Sequence, residues 1–201
     1  MKNLKQHWET VYETKSPEQV SWTQEVPETS LELIQKSKIP KNGKIIDIGG
    51  GDSTLVDHLL AEGYSDITVL DISGKALERA KQRQGNKAKE ITWIESDILD
   101  FIPEHTYDLW HDRAAFHFLT AEHDIKRYSN LVNSNVKDSL ILGTFSTKGP
   151  LKCSGLEISQ YNKDTLSQVM KGFERISCKT ENHTTPFQTQ QNFLFCRFKK
   201  K

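Results

Sequence analysis

Four aspartates occupy similar places in the chain, each at or near the end of a short apolar segment, and three consecutive glycines follow the first. They are Asp47, Asp71, Asp97 and Asp112, with glycines at 49–51. Carboxylates in such places can accept hydrogen bonds from hydroxyl and amine groups of a ligand. Glycines allow a tight turn and close approach of the backbone to that ligand. The interval from the glycines to Asp71 is about that at which a second strand delivers a ribose-binding acid. The pattern therefore indicates a nucleotide-like ligand.

Strands and helices that alternate along the chain must position these acids. Apolar runs predict strands over residues 45–48, 66–72, 90–94, 107–112, 139–147, 173–179 and 193–198. Helical spacing and capping residues predict helices over residues 29–35, 53–61, 74–83, 122–136 and 162–170. Because ligands of open α/β sheets bind outside the carboxyl ends of the strands, the acids should meet at one edge of one sheet.

This arrangement resembles the class I S-adenosylmethionine-dependent methyltransferases over nearly the whole chain. Residues 47–51 carry the D-x-G-x-G pattern of that family's first strand. The resemblance implies an α/β fold, a single Rossmann-like domain whose seven-stranded sheet has the order 3-2-1-4-5-7-6 and an antiparallel last strand. It also implies S-adenosyl-L-methionine as the cofactor.

The resemblance places the cofactor at the ends of the first four strands. Asp71 would accept hydrogen bonds from the ribose hydroxyls, and Asp97 would accept one from the adenine amine. Ile72 and Ile98 would sandwich the adenine ring. The full predicted cofactor site consists of Asp47, Gly49, Gly50, Gly51, Ser53, Asp71, Ile72, Asp97, Ile98, His111 and Trp22. An alternative for Asp97 is a cap at the end of its strand.

The fourth strand ends in His111, Asp112 and Arg113, which in this family would face the reactive methyl group. Asp112 or His111 could steer an amine or hydroxyl acceptor, and His117, just beyond, could act as the general base. Alternatively, Asp112 and Arg113 form a structural ion pair and His117 packs in the core. No metal site is predicted, because the histidines lack ligand spacing backed by a carboxylate.

The same segment also bears on the acceptor and on competing functions. Residues 112–115 resemble the D-[KR]-G-T motif of lysine methyltransferases that act on translation factors, but Ala114 and Ala115 replace the last two residues. This departure favours a small-molecule acceptor over an exposed protein side chain, although protein-lysine methylation stays an alternative. A non-catalytic S-adenosylmethionine-binding adaptor stays open as well. An NAD-dependent oxidoreductase would share the glycine turn, but Asp47 before it argues against that class.

Residues 1–43 precede the first core strand and are predicted to cap the core, residues 44–201, within a single domain. Trp8, Tyr12 and Trp22 give this segment an aromatic character. Two interpretations are open: these side chains pack on the sheet, or the segment closes over the cofactor and forms part of the substrate wall. In the second case Trp22 or Gln24 would contact the cofactor or the substrate.

Composition narrows the classes of partner. The chain has 27 Lys and Arg against 27 Asp and Glu, a formal net charge of +0, so no basic field attracts nucleic acid. No apolar run approaches the length of a membrane span and no signal segment is visible, which predicts a soluble cytoplasmic protein without a membrane partner. The three widely spaced cysteines predict reduced thiols. No feature of the sequence indicates the oligomeric state.

Overall fold

A seven-stranded mixed sheet forms the centre of the structure, a computed structural model that describes residues 4–201. Its strands are β1 (Lys44–Ile48), β2 (Asp66–Asp71), β3 (Ile91–Glu95), β4 (Tyr107–Arg113), β5 (Val136–Phe145), β8 (Phe173–Thr184) and β9 (Gln190–Lys200). Two short strands, β6 (Lys152–Cys153) and β7 (Leu156–Glu157), form a separate two-stranded sheet. The order across the sheet is β3-β2-β1-β4-β5-β9-β8, and β9 runs antiparallel to β5. The predicted α/β class and strand order are therefore confirmed.

The part of the chain from residue 4 to 201 contains six α-helices. They are α1 (Leu4–Thr14), α2 (Glu28–Ser37), α3 (Leu55–Ala61), α4 (Gly74–Gln84), α5 (Glu122–Asn135) and α6 (Lys163–Val169). No helix in residues 4–201 is long and apolar enough to cross a membrane. Local signals set several of these boundaries: the Ser73 hydroxyl accepts from the Ala76 amide at the start of α4, and Asn162 caps α6 in the same way.

Two hydrophobic cores lie on opposite faces of the sheet, because successive side chains of a strand point to opposite sides. On one face, Ile45 of β1 packs with residues of α2, α3 and α4. On the other, Ile46 of the same strand packs with residues of α5 and α6. Both side chains are fully buried. This three-layer arrangement leaves the carboxyl ends of the parallel strands as the place where polar side chains can meet.

The second half of the chain differs in detail from the prediction. The segment 148–156, predicted as a loop, contributes most of a small hairpin in which β6 pairs with β7. The last two strands are longer than predicted and form one extended hairpin, with pairing from Phe173 opposite Lys200 to Thr184 opposite Gln190. Polar and charged residues fill the outer part of this hairpin, so apolar runs alone identified only its buried part.

The cysteines also differ from the expectation of three reduced thiols. Cys178 and Cys196 stand directly opposite each other on β8 and β9 and form a disulfide, whereas Cys153 is free and buried. Spacing along the sequence could not reveal this pair, because the antiparallel register of the hairpin brings the two residues together.

Counting accessible thiols tests this pairing. In protein purified without reductant and unfolded in guanidinium, an alkylating agent should label only Cys153, and after reduction it should label all three cysteines. Mass spectrometry reads the number of labels directly. Labelling of all three cysteines before reduction would show that the disulfide is absent.

Candidate functional site

A cavity of about 290 Å³ lies at the carboxyl ends of β1, β2 and β4, below the N-terminal segment. Its volume is close to the lower end of the range for small-molecule sites. Ten of the predicted cofactor residues line it: Asp47, Gly49, Gly50, Ser53, Asp71, Ile72, Asp97, Ile98, His111 and Trp22. Gly51 lies just behind the lining, and Gln24 also faces the cavity. The structure thus brings together residues that stand far apart in the sequence.

The turn after β1 requires glycine because a side chain would not fit there. Gly49 has a φ of 65°, in the left-handed region, and a Cβ at this position would lie 2.7 Å from the Cβ of Ala115. A Cβ on Gly51 would lie 2.5 Å from a carboxylate oxygen of Asp71. The turn therefore brings bare backbone to the cavity and packs it directly against the end of β2.

Asp71 is the most strongly perturbed acid of the cavity. Its side chain is buried, and its Oδ1 accepts a hydrogen bond of 2.8 Å from the Ser73 amide. The backbone of Gly51 donates a second one. Burial nevertheless raises the pKa of Asp71 to about 7, helped by the nearby charges of Asp47 and Glu9. In its ionised form this acid can accept hydrogen bonds from a ligand.

Asp97 caps the turn after its strand and also lines the cavity. Its Oδ1 accepts from the Leu99 amide at 2.9 Å, which caps the turn after β3. The residue also lines the cavity beside Ile98 and across from Ile72. A local cap and a place in the cavity wall are therefore compatible here.

Three buried side chains form a continuous hydrogen-bonded relay at the cavity wall. His111 Nδ1 lies 2.7 Å from Asp47 Oδ1, and His111 Nε2 lies 2.8 Å from the hydroxyl of Ser30. With Asp47 ionised, Nδ1 carries the proton that is donated to it, and Nε2 accepts from Ser30. The imidazole then uses its unprotonated nitrogen as the acceptor for the serine hydroxyl. All three residues line the cavity, although sequence analysis missed Ser30.

The other two predicted catalytic residues lie away from the cavity. Asp112 is fully buried; one oxygen accepts from the amides of Ala115 and Phe116, and the other accepts from the Tyr128 hydroxyl at 2.6 Å. Burial raises its pKa to about 6. Its side chain points to the face of the sheet that packs against α5. The side chain of its neighbour His111 points to the opposite side, as successive residues of a strand do. Arg113, which follows Asp112, also points to the opposite side and donates to the Trp22 carbonyl oxygen, so it does not form the suggested ion pair with Asp112.

His117 is fully buried as well and packs against Phe118 and Phe145, with ring centroids 4.6 and 4.7 Å away. Burial lowers its pKa to about 3. It is not among the residues that line the cavity. A histidine in this setting stays neutral and fills space, so the structure favours the packing interpretation over that of a base.

Aromatic rings of the N-terminal segment line one side of the cavity. The ring of Trp8 lies 5.6 Å from that of Trp22 and 5.2 Å from that of Phe118. The carboxylate of Glu9 anchors α1, because it accepts from the Gly74 and Lys75 amides at 2.9 and 3.2 Å. These amides form the start of α4, where an anion is favoured. The segment is thus docked as a wall of the cavity.

Comparisons with known proteins agree with this geometry. Residues 45–138, a little under half of the chain, match the family model described as a methyltransferase domain. The eEF1A lysine and N-terminal methyltransferase of Mus musculus is 28% identical over 122 residues, which cover 59% of this chain and 17% of that protein. The malonyl-[acyl-carrier protein] O-methyltransferase of Anoxybacillus flavithermus is 33% identical over 107 residues, covering 52% and 39%. The chain thus spans less than half the length of these relatives.

Solved structures resemble the whole chain. A SAM-dependent methyltransferase from Anabaena variabilis has a TM-score of 0.76 at 15% identity and covers 99% of this chain and 96% of its own. The 1,6-didemethyltoxoflavin-N1-methyltransferase of Burkholderia thailandensis, solved with S-adenosylhomocysteine, has a TM-score of 0.72 at 13% identity, with coverages of 98% and 87%. The fold is that of the class I Rossmann-like methyltransferases. The match of residues 45–138 to the methyltransferase-domain model agrees with the resemblance seen in the motifs.

Removing the carboxylate of Asp112 should destabilise the protein strongly. Asp112→Ala leaves two amides and the Tyr128 hydroxyl without a buried partner, so we expect a loss of about 2–4 kcal/mol in the free energy of unfolding. Guanidinium titration measures it. The control is Asp138→Ala, which removes a half-exposed ion pair with Lys199 and should cost less than about 1 kcal/mol. Equal effects of the two variants would contradict the anchoring role of Asp112.

Proposed function

We propose that the protein is an S-adenosylmethionine-dependent methyltransferase that transfers a methyl group to a nucleophilic nitrogen, oxygen or sulfur of a small molecule. The observation that carries the proposal is the convergence of the glycine turn, Asp71 and Asp97 on one cavity. Structures of the same fold that were solved with bound cofactor or its product support it. The proposal includes a single domain over residues 1–201, with residues 1–43 as its cap. The cytoplasmic location stays a prediction.

The residues around the cavity suit the cofactor chemically. Asp71 presents a buried carboxylate for a ribose diol, and Asp97 keeps its Oδ2 for an amine such as that of adenine. Ile72 and Ile98 offer apolar contacts to a flat ring, and the bare backbone at Gly49 leaves space for a methionine chain. When bound, S-adenosylmethionine supplies an electrophilic methyl group on a sulfonium, so the protein need not generate the reactivity itself.

Two tasks are left for the protein: to hold the acceptor in line with the methyl group and to take its proton. Positioning of this kind lowers a barrier by up to about 7–11 kcal/mol. The relay suits the second task, because the acceptor proton can pass to the Ser30 oxygen as the serine proton passes to His111 Nε2. Asp47 then faces the imidazolium and stabilises it through Nδ1–H.

The apolar wall of the cavity favours a small molecule as acceptor. The rings of Trp8, Trp22 and Phe118 form this wall and suit an acceptor with an apolar body. Protein-lysine methylation is the second candidate, because relatives that match part of the chain are eEF1A lysine methyltransferases.

A transfer assay separates these candidates. Purified protein is incubated with S-adenosylmethionine labelled at the methyl group and with cell extract divided into small-molecule and protein fractions. The proposal predicts label in the small-molecule fraction. Label in the protein fraction alone would favour lysine methylation, and binding of the cofactor without any transfer would favour an adaptor.

The relay is tested by His111→Ala, for which we expect transfer to fall by about 10²–10⁴-fold because the base is lost. Ser30→Ala should also slow transfer, because it removes the hydroxyl between the acceptor and the imidazole. The matched control is His123→Ala on the exposed surface of α5, which should leave transfer unchanged. A wild-type rate in His111→Ala would exclude this relay as the proton acceptor.

The raised pKa of Asp71 predicts that cofactor binding depends on pH. Ionised Asp71 accepts hydrogen bonds from a ribose, so the affinity for S-adenosylhomocysteine should rise as the pH passes from 6 to 8, through the pKa of about 7. Calorimetry in matched buffers measures it. Asp71→Asn should bind more weakly and remove this part of the pH dependence. A flat profile for the wild type would contradict a ribose contact through Asp71.

The same shift affects the stability of the ligand-free protein. The folded pKa of about 7 lies above the ordinary value of 3.8, so the folded state holds the proton more tightly than the unfolded chain. The resulting stabilisation is complete below the ordinary value and is lost as the pH rises through about 7. Asp71→Asn should be less sensitive to pH over this interval, as thermal denaturation will show. If the thermal stability of both proteins changed equally with pH, the raised pKa of Asp71 would be contradicted.

A further inference from the structure

Arg113 extends from the end of β4 towards the side of the sheet that lies away from the glycine turn. It lines the cavity, and its guanidinium carbon lies 5.1 Å from the centre of the Phe193 ring. Phe193 is on β9, opposite Phe145 of β5. The guanidinium therefore lies on the β5 and β9 side of the cavity, whereas Asp71 and Asp97 follow β2 and β3, beyond β1.

Most of the hydrogen-bonding capacity of this guanidinium is unused. Its Nη1 donates to the Trp22 carbonyl oxygen at 3.0 Å, but Nε and Nη2 are buried and have no hydrogen-bond partner among residues 4–201. Nor does any carboxylate in this part of the chain come within ion-pair distance of it. Burial lowers the pKa of Arg113 to about 10, although the charges of Glu181 and Asp47 oppose this shift. A buried, unpaired charge is costly, so this position calls for a partner.

The neighbouring acids are already engaged. Asp47 binds His111, and Glu181 accepts from the hydroxyl of Thr29, so both influence Arg113 only from a distance. The contrast with the other arginines of the cavity is informative. Arg79 and Arg83 both pair with Asp52, at 3.6 and 2.5 Å, and Arg83 also pairs with Asp57. Among the arginines that line the cavity in the described part of the chain, Arg113 alone has no carboxylate partner.

The shape and surroundings of the group define what would bind it. A guanidinium presents its N–H groups as a planar fork that matches the oxygens of a carboxylate or phosphate. The rings of Trp22, Trp8 and Phe118 form an apolar wall of the same cavity. An anion that occupies this place would therefore carry an apolar body.

We propose that Arg113 determines acceptor specificity by binding an oxyanion, such as a carboxylate, on a small molecule with an apolar body. The inference rests on the proposed methyltransferase function and names the class of its acceptor. The same fork could instead hold the carboxylate of the cofactor's methionine part. Because Arg113 lies on the β5 and β9 side of the cavity, we assign it to the acceptor. The experiment below distinguishes an acceptor carboxylate from that of the cofactor.

The test uses cell metabolites separated on an anion exchanger before they meet the enzyme and labelled S-adenosylmethionine. The fraction retained as anions should contain the acceptor. With that fraction at limiting concentration, Arg113→Gln should lower the transfer rate by about 10–100-fold, the loss expected for a charged hydrogen-bond pair. Arg113→Lys should recover part of the rate. The matched control is Arg175→Gln. Arg175 is an exposed residue of β8 that pairs with Asp164 of α6, so its replacement should leave the transfer rate unchanged.

Calorimetry with S-adenosylhomocysteine, carried out on the same proteins, separates the possible failures. Affinity within about threefold of wild type in Arg113→Gln supports the acceptor assignment, and a loss of tenfold or more would move the partner to the cofactor and overturn it. Acceptor activity confined to the unretained fraction, or a wild-type rate in Arg113→Gln, would overturn it too. If the wild type itself failed to bind S-adenosylhomocysteine, the proposed function would fail first.

Discussion

The parallel pairing of β1 with both β2 and β4 is the constraint on which the site depends. Its register places Asp47 beside Val69 on one side and beside His111 on the other. Each of these three strands ends at the same edge, so the glycine turn, the acid after β2 and the relay meet in one cavity. A slip of one residue in β4 would turn His111 to the other face and bring Asp112 to the cavity instead. The apolar cores on the two faces prevent such a slip, because it would also take Trp110 out of the core on the α5 face, where it is fully buried.

Electrostatics divide the cavity into two ends with different tasks. At the β2 end, buried Asp71 has its pKa raised to about 7 by burial. At the β4 end, Arg113 has its pKa lowered by the same cause. Burial disfavours both charges, and each group gains a partner when a ligand of opposite polarity arrives. The relay of Asp47, His111 and Ser30 lies between them and is satisfied internally. In this account the protein is arranged to bind at both ends and to move a proton in the middle.

How much the sequence could predict depended on whether a signal was local. The interval from the glycines to Asp71 and the apolar pattern of the strands were local and predicted most of the strands, whereas the strand order was implied by the family resemblance. Ser30 could not be found in this way, because α2 precedes β1 and only tertiary packing brings its hydroxyl to His111. Asp112 is a different case. The strand period of two already implies that it and His111 face opposite sides, but only tertiary packing shows that His111 is the one at the cavity.

The central claim is that the cavity is a site for S-adenosylmethionine, and calorimetric titration of the wild-type protein tests it most directly. Separate titrations use S-adenosylmethionine, S-adenosylhomocysteine and NAD. The account predicts affinities in the micromolar range for the first two ligands and no detectable heat for NAD. Binding of NAD with neither of the others would mark the glycine turn as part of a different nucleotide site. Absence of binding by all three would contradict the account at its foundation.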